Sequence, residues 1–535
     1  MRHYLENAIL KLKIPFRISD FCYFYRKTNQ MRHYFVLFIL GILLAASSCR
    51  TDFDTVASSG DLKFSKDTVY LDTVFKNIGS STYNLKVYNR GKNDINIPVI
   101  QLKNGLNSKY RMTVDGMNGN NGKIFNNVTL LAKDSLYIFI ETTADITDAN
   151  PVDFLYTDEI QFDSGSNLQK VALVTLIQDA VFLYPKKNPD GTKEKIEIDG
   201  KDVDGFYLDE NDETNGNELL FTKQKPYVIY GYAGVPENKT VTFEAGARVH
   251  FHDNSGLYIS NKATFQVNGN ISTTKNLENE VIFEGDRLEP EYSDVPGQWN
   301  SVIFADGSTN HSINHLTLKN AKIGLDIRNQ DATTFQIKNT QIYDCSNYGI
   351  LAQNAKINGE NIVINYAGLA ALSCIYGGDY KFTHCTFNNT WSGGQQFAVN
   401  LSNKLDGATP ETNPLTQATF NNCIIYGSNS NEFNLDKNAN TAFVYQLNNC
   451  LLKFGSTSNP DYQFGTDTAH YNAIILNENP KFFNINLNKL NIDNTSAAFA
   501  KGNQAYNIPL DIIGNTRTSP PDLGAYQNKD FPKQL

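Results

Sequence analysis

The fold turns on a ladder of short, similar phrases between Ile313 and Lys453. They read Ile313-Asn314-His315-Leu316-Thr317-Leu318, Ile337-Lys338-Asn339-Thr340-Gln341-Ile342 and Gly359-Glu360-Asn361-Ile362-Val363-Ile364. Then come Phe382-Thr383-His384-Cys385-Thr386-Phe387, Phe420-Asn421-Asn422-Cys423-Ile424-Ile425 and Leu447-Asn448-Asn449-Cys450-Leu451-Leu452. Each phrase reads as one strand of about six residues with roughly alternating polarity, and copies recur about 22 to 38 residues apart. A single strand cannot bury its apolar row, but stacked copies paired at roughly 4.8 Å can. The fourth column, Leu316, Thr340, Ile362, Cys385, Cys423 and Cys450, reads as an inward ladder. The third, His315, Asn339, Asn361, His384, Asn422 and Asn449, reads as a polar ladder beside it. The pattern predicts a parallel β-helix.

Composition agrees. A chain of 535 residues is too long for one compact core and suits a solenoid plus a second domain. Charged residues make up 19%, and no long stretch after the leader carries apolar residues at helical spacing. The formal net charge of -9, with no basic stripe in the sequence, argues against nucleic acid as a partner.

Residues 1–30 are basic and aromatic and read as an upstream extension. Met1 and Met31 both begin Met-Arg-His-Tyr, which marks Met31 as the expected start. Residues 31–48 read as a signal peptide: Arg32 and His33, a short apolar run from Tyr34 to Ala46, then small residues leading to Cys49. The junction Ala46-Ser47-Ser48-Cys49 resembles a bacterial lipobox. That resemblance implies acyl chains on Cys49, a membrane partner without a spanning helix, and a cell-envelope, outer-membrane location. Residues 49–60 would be a tether.

Residues 61–182 alternate as an antiparallel β-sandwich does. Tyr83, Leu85 and Val87 face one way, as do Leu136, Ile138 and Ile140, and Asn89-Arg90-Gly91 marks a turn. Phe75-Lys76-Asn77-Ile78-Gly79 with Leu85 to Gly91 resembles the immunoglobulin-like domains related to the major-sperm-protein fold. The resemblance implies a spacer and no catalysis. Residues 183–222 are acidic and read as a connection; Asp202, Asp204 and Asp209, with Asp212 and Glu213, are the oxygen ligands a Ca²⁺ ion would use there. Their spacing does not fit an EF-hand, and a solvated acidic loop is the competing reading.

The solenoid is expected over 223–490, beginning near Pro226, with a C-terminal cap over 491–535. Gly285-Asp286-Arg287-Leu288-Glu289 through Tyr292 to Gly297-Gln298-Trp299, together with Asp511, Gly514, Arg517 and Asp522-Leu523-Gly524-Ala525-Tyr526, resembles the right-handed β-helix repeat proteins of the pectate-lyase-like superfamily. In the cap, Arg517 is expected to bridge Asp511 and Asp522 across the last coil. The fold class that results is all-β, an immunoglobulin-like sandwich followed by a right-handed parallel β-helix.

Insertions at 285–298, 391–417 and 455–472 leave the stack, and loops on a rigid scaffold are where binding concentrates. Trp391, Trp299, Tyr292 and Arg287 are the candidate ligand-binding residues, because flat faces beside polar groups suit sugar rings. For both tryptophans the alternative is a plug at a coil end. The superfamily's hydrolase pattern is absent. The nearest catalytic candidates are Asp326 with Arg328, Asp344 on the next coil, and Asp379 with Lys381 and His384; solvated ion pairs are the competing reading. Cys345, Cys374, Cys385, Cys423 and Cys450 are odd in number and lack metal spacing, so buried free thiols are expected. The reading is a lipid-anchored protein that presents a β-helix to an extended ligand, a glycan above all, without catalysis. A polysaccharide lyase, epimerase or glycoside hydrolase on the same coils is the alternative, and an adhesion or structural module with a protein partner the third.

Overall fold

A computed structural model describes residues 54–328, 331–405, 407 and 411–531. The leader, Cys49 and the first part of the tether lie outside these residues. Strands dominate, and short 3-10 turns are the only helical elements among the described residues. No described helix is long and apolar enough to cross a membrane.

Three long sheets organise most of the chain. The first runs through eleven strands from Val181–Leu183 to Ile475–Leu476. The second has ten, from Lys195–Ile198 to Phe433–Asp436, and the third ten, from Leu220–Phe221 to Tyr471–Asn472. Beyond the opening hairpin, neighbours within a sheet lie one coil apart in sequence, and each coil in the body of the stack gives one strand to each sheet. Side chains at equivalent positions therefore pile up. Leu257, Val302, Leu325, Ile350, Leu372, Val399 and Phe433 form one such row in the second sheet. The fourth-column residues Leu316, Thr340, Ile362, Cys385, Cys423 and Cys450 are all buried as the sequence predicts. Five thiols, Cys345, Cys374, Cys385, Cys423 and Cys450, are free and buried.

The six-residue phrases are not single strands. Each is the end of a third-sheet strand, a corner of one or two residues and the start of a first-sheet strand: Ser312–Asn314, His315, then Leu316–Lys319 in the first, and Phe335–Lys338, Asn339 and Thr340, then Gln341–Cys345 in the next. The third-column residues are the corners. His315, Asn339, Asn361, His384, Asn422 and Asn449 have φ between 48 and 53. Asn and His tolerate the left-handed region better than most residues, since a short polar side chain can bond locally there. The polar ladder is thus a requirement of the bend.

Parallel pairing also reaches back before Pro226. Val181 pairs with Tyr227, Gly205 with Tyr232 and Leu220 with Thr242. The acidic stretch expected as a connection is instead the first coil. Its strands are short, and a hairpin over 195–207 interrupts it, turning at Asp199 and Gly200 with φ 53 and 73.

The C-terminal segment does not close the last coil. It runs along the outside of the first sheet, packing Ile512, Ala525 and Tyr526 on Tyr343 and Val363, and Ala498 and Leu523 on Ile424 and Leu451. The end of the stack is filled by the 455–472 insertion, whose Tyr462 and Phe464 pack on Phe454, Phe433 and Tyr471.

Contacts divide the chain into two compact units. One comprises Thr82–Glu141 and Asp158–Leu173 with the described residues up to Val69; the other comprises Tyr70–Ser81, Thr142–Thr157 and Val174–Leu535. The N-terminal strands form a six-stranded and a four-stranded sheet, the latter in the order Lys63–Phe64, Tyr83–Tyr88, Ser135–Thr142, Tyr110–Val114. Burial alternates along them, as in Ser135–Thr142, so each sheet has one apolar face.

Candidate functional site

Two corners of the solenoid carry polar side chains, and they differ in what covers them. At the bend from third to first sheet, the C-terminal segment seals the ladder. Asn422 Nδ2 donates to Asn503 O and lies 3.0 Å from His384 Nε2, while Asn422 Oδ1 accepts from Asn503 N at 2.8 Å. Arg517 Nη2 donates to Asn361 Oδ1 at 2.8 Å and to the carbonyls of Gly524 and Ala525. The expected bridge from Arg517 to Asp511 and Asp522 is not made. Asp511 instead accepts from Ile513, Asn515 and Gln527, and Asp522 from Ala500, Gln527 and Asn528.

The bend from first to second sheet is different. In register down it lie Gly285, Asn320, Asp344, Tyr366, Asn389 and Gly427. Three loops leave here, 286–298, 390–396 and 428–432. The insertion expected over 391–417 is two pieces, because Phe397–Ser402 is a second-sheet strand and 403–414 leaves at another corner. Trp391 stands in the middle loop, half-buried, with its indole 4.8 Å from the Tyr366 ring at 49°. Tyr366 has φ 60, a left-handed backbone that is costly for a bulky residue and tends to persist where a site needs it.

The base of the Trp391 loop is tied down. Asn389 Oδ1 accepts from Trp391 N, and Asn389 Nδ2 donates to Ala367 O and Phe397 O. Ser428 Oγ donates to Trp391 O at 2.7 Å, Gln396 Nε2 donates to the same carbonyl, and Asn429 Nδ2 donates to Gln396 O at 2.6 Å. Beneath lies Glu432, fully buried, with Oε1 accepting from Asn429 N at 2.7 Å and Oε2 unpartnered. Burial pushes its carboxyl up to about 8. Gly427 makes the room, since a Cβ there would sit 2.2 Å from Glu432 Oε1. Three coils away, Asp344 is buried and accepts from Asn488 Nδ2 at 3.0 Å; burial, with the Asp294 charge, pushes it up to about 7.

The other sequence candidates scatter. Trp299 is fully buried, stacked on Phe251 at 4.1 Å with Nε1 donating to Lys319 O, so it is a core residue and not a ligand contact. Arg287 lies over Tyr292 at 3.8 Å and is held by Glu289 at 2.9 Å and Ser81 Oγ at 3.0 Å. Both belong to a closed clamp in the 286–298 loop. Asp326 and Arg328 pair through Arg328 Nε and Nη2, Arg328 lying one residue past the strand Ala321–Ile327, and Asp199 takes Arg328 Nη1. Asp344 is not beside them; it belongs to the first sheet and they to the second. Asp379 and Lys381 are on the third sheet, Asp379 beside Lys356 at 3.6 Å. His384 is a buried corner residue, held well below its usual pKa by burial and the Arg517 charge. Six residues on three sheets and a corner make no catalytic set. Asp202, Asp204 and Asp209 lie on or next to the opening hairpin strand, Asp204 paired with Lys193 at 3.3 Å. Among the described residues, no three His, Cys, Asp or Glu side chains are grouped to hold a metal ion.

The described residues therefore form an all-β structure with three long parallel sheets and an aromatic pair at one open corner. No family model matches it, and no curated protein does. Among solved structures it is similar to the ASH / PapD-like domain of human CEP192, at 13% identity over 25% of this chain and 95% of that one, TM-score 0.15. It is also similar to a family 123 glycoside hydrolase from Clostridium perfringens, at 8% identity over 23% of this chain and 30% of that one, TM-score 0.16. Likenesses this slight carry no argument.

Proposed function

We propose that this is a cell-envelope protein that binds an extended glycan at the Trp391 corner without turning it over. In this reading the solenoid is a right-handed parallel β-helix of the pectate-lyase-like kind. An immunoglobulin-like domain links it to a lipid on Cys49, which places it at the outer membrane. The observation that carries the binding role is the Trp391–Tyr366 pair, two tilted rings 4.8 Å apart on a loop braced by four polar side chains. Rings of this kind take the C–H face of a sugar, and the neighbouring exposed Ser392 and Gln395 offer hydrogen bonds to hydroxyls. Asp344 and Glu432, the carboxyls nearest the rings along this corner, are buried three coils apart, which favours binding over hydrolysis.

The test is affinity electrophoresis of the purified full chain through neutral and acidic polysaccharides, with assays for new reducing ends and unsaturated uronate. Retardation without products is expected, and Trp391→Ala should weaken it at least tenfold, about 1.4 kcal/mol. Products would establish an enzyme instead. Undiminished binding by Trp391→Ala would remove the site.

A further inference from the structure

The four-stranded sheet of the N-terminal unit turns one face outward, and that face is not the mixed polar surface a spacer needs. Tyr137 and Phe139 are each 44% exposed. Two residues apart on one strand, they point the same way, with rings 6.2 Å apart and only 14° from parallel. Tyr88 joins them from the neighbouring strand, diagonal to Tyr137, because Lys86 is the residue directly opposite Tyr137.

Cations alternate with these rings. Register places Lys86 opposite Tyr137 and Lys63 opposite Tyr88. Lys86 Nζ lies 5.0 Å from the Tyr137 centroid and 5.5 Å from that of Tyr88, while the Arg90 guanidinium lies 4.3 Å from the Tyr88 centroid. The acids of this region include Glu141, engaged by Arg111 at 2.8 Å, Asp115 at the strand end beside Tyr137, and the exposed Asp134 next to Ser135, which pairs with Tyr88. At the far end of the stripe a cavity of about 470 Å³ opens against Phe139, lined also by Arg111, Thr113, Asn118 and Asn121.

We infer that this face is a second binding surface, separate from the Trp391 corner, and that its ligand is an anionic polysaccharide bearing carboxylates or sulfates. Charge complementarity selects the ligand class. In a chain of net charge -9, a local run of Lys63, Lys86 and Arg90 set between flat rings fits a chain of sugar rings whose acidic substituents recur at intervals. A neutral glycan would use the rings and leave the cations idle.

The experiment uses the full chain with polygalacturonate, its methyl-esterified form and anionic phospholipid vesicles as probes. Polygalacturonate should bind, its affinity falling as salt rises, and methyl esterification should weaken it severalfold. The double variant Tyr137→Ala/Phe139→Ala should lose at least tenfold, and Lys86→Gln severalfold with a shallower salt dependence. Trp391→Ala should retain this binding, which separates the two surfaces even if that corner binds nothing. Should the double variant fail to fold, Lys86→Gln and Arg90→Gln, both at exposed or half-exposed positions, decide alone. Equal binding of the acid and its ester, unchanged binding by the variants, or binding of vesicles in place of the polysaccharide would each overturn the inference.

Discussion

The bend from third to first sheet and the bend from first to second are built from the same backbone device and put to different use. Both hold residues in the left-handed region: Asn361, His384 and Asn422 at one, Asn320, Asp344 and Tyr366 at the other. At the sealed bend the residues are nearly all Asn or His, and the C-terminal segment bonds Asn422, Asn361 and His384 through Asn503, Arg517 and Gly524. At the open bend the sequence departs from Asn to Asp and then to Tyr, and loops take the place of a covering segment. Where geometry alone selects, the residue is the one that tolerates the bend. Where a strained Tyr stands in its place, the fold carries a cost that the proposed binding role would explain.

Cutting the sealed bend should produce the largest effect. Asn422→Ala strands His384 and both backbone groups of Asn503, and puts a Cβ without local hydrogen bonds at φ 53. With 1–3 kcal/mol per stranded group and 1–2 for the backbone, destabilisation of about 5 kcal/mol is expected. The denaturant midpoint measures it. Asn422→Gly relieves only the backbone part, so it should recover 1–2 kcal/mol of that loss. If Ala and Gly destabilise equally, the bend is not what selects Asn.

The corner ladder was legible in the sequence as a column, but not as a bend. Spacing revealed that His315 to Asn449 recur together, while the left-handed turn at each became visible only once φ was known. The first coil went unread because strands of two or three residues, such as Leu220–Phe221, carry no alternation to detect. Trp391 was found from its residue type, whereas its pairing with Tyr366 depends on coil register. Glu432 was missed altogether, since nothing local marks an acid that will be buried beneath a loop two residues past a turn. The cationic and aromatic face at Lys86 and Tyr137 was hidden for the same reason: its members are contiguous across strands and dispersed along the chain.

A smaller effect tests the floor of the open bend. Glu432 is protonated in the folded protein up to about pH 8, whereas an unfolded glutamic acid ionises near 4.5. Its folded value is raised, so its contribution is full below the unfolded value and is lost as pH climbs through about 8. Between those limits stability should fall with a slope of up to about 1.4 kcal/mol per pH unit. Glu432→Gln keeps the shape and cannot ionise, so it should flatten that slope and raise the melting temperature at pH 8 more than at pH 5. Identical pH profiles for the two proteins would show that Glu432 is not buried as a neutral acid.

The smallest expected change in stability sharpens the comparison most. Tyr366→Gly removes a ring from the open bend and frees a backbone held at φ 60. Relief of 1–2 kcal/mol offsets much of the lost contact with Trp391, so the net change should stay within about 1 kcal/mol, and Tyr366→Ala, which keeps the strain, should be the less stable of the two. Glycan binding should nonetheless fall at least tenfold in both. At Asn422 the same Gly substitution costs stability because its side chain holds the fold together; at Tyr366 it should cost affinity because the side chain faces a ligand. A Tyr366→Gly protein that unfolds readily, or that binds as the parent does, would make the two bends alike and leave the strained tyrosine without a function.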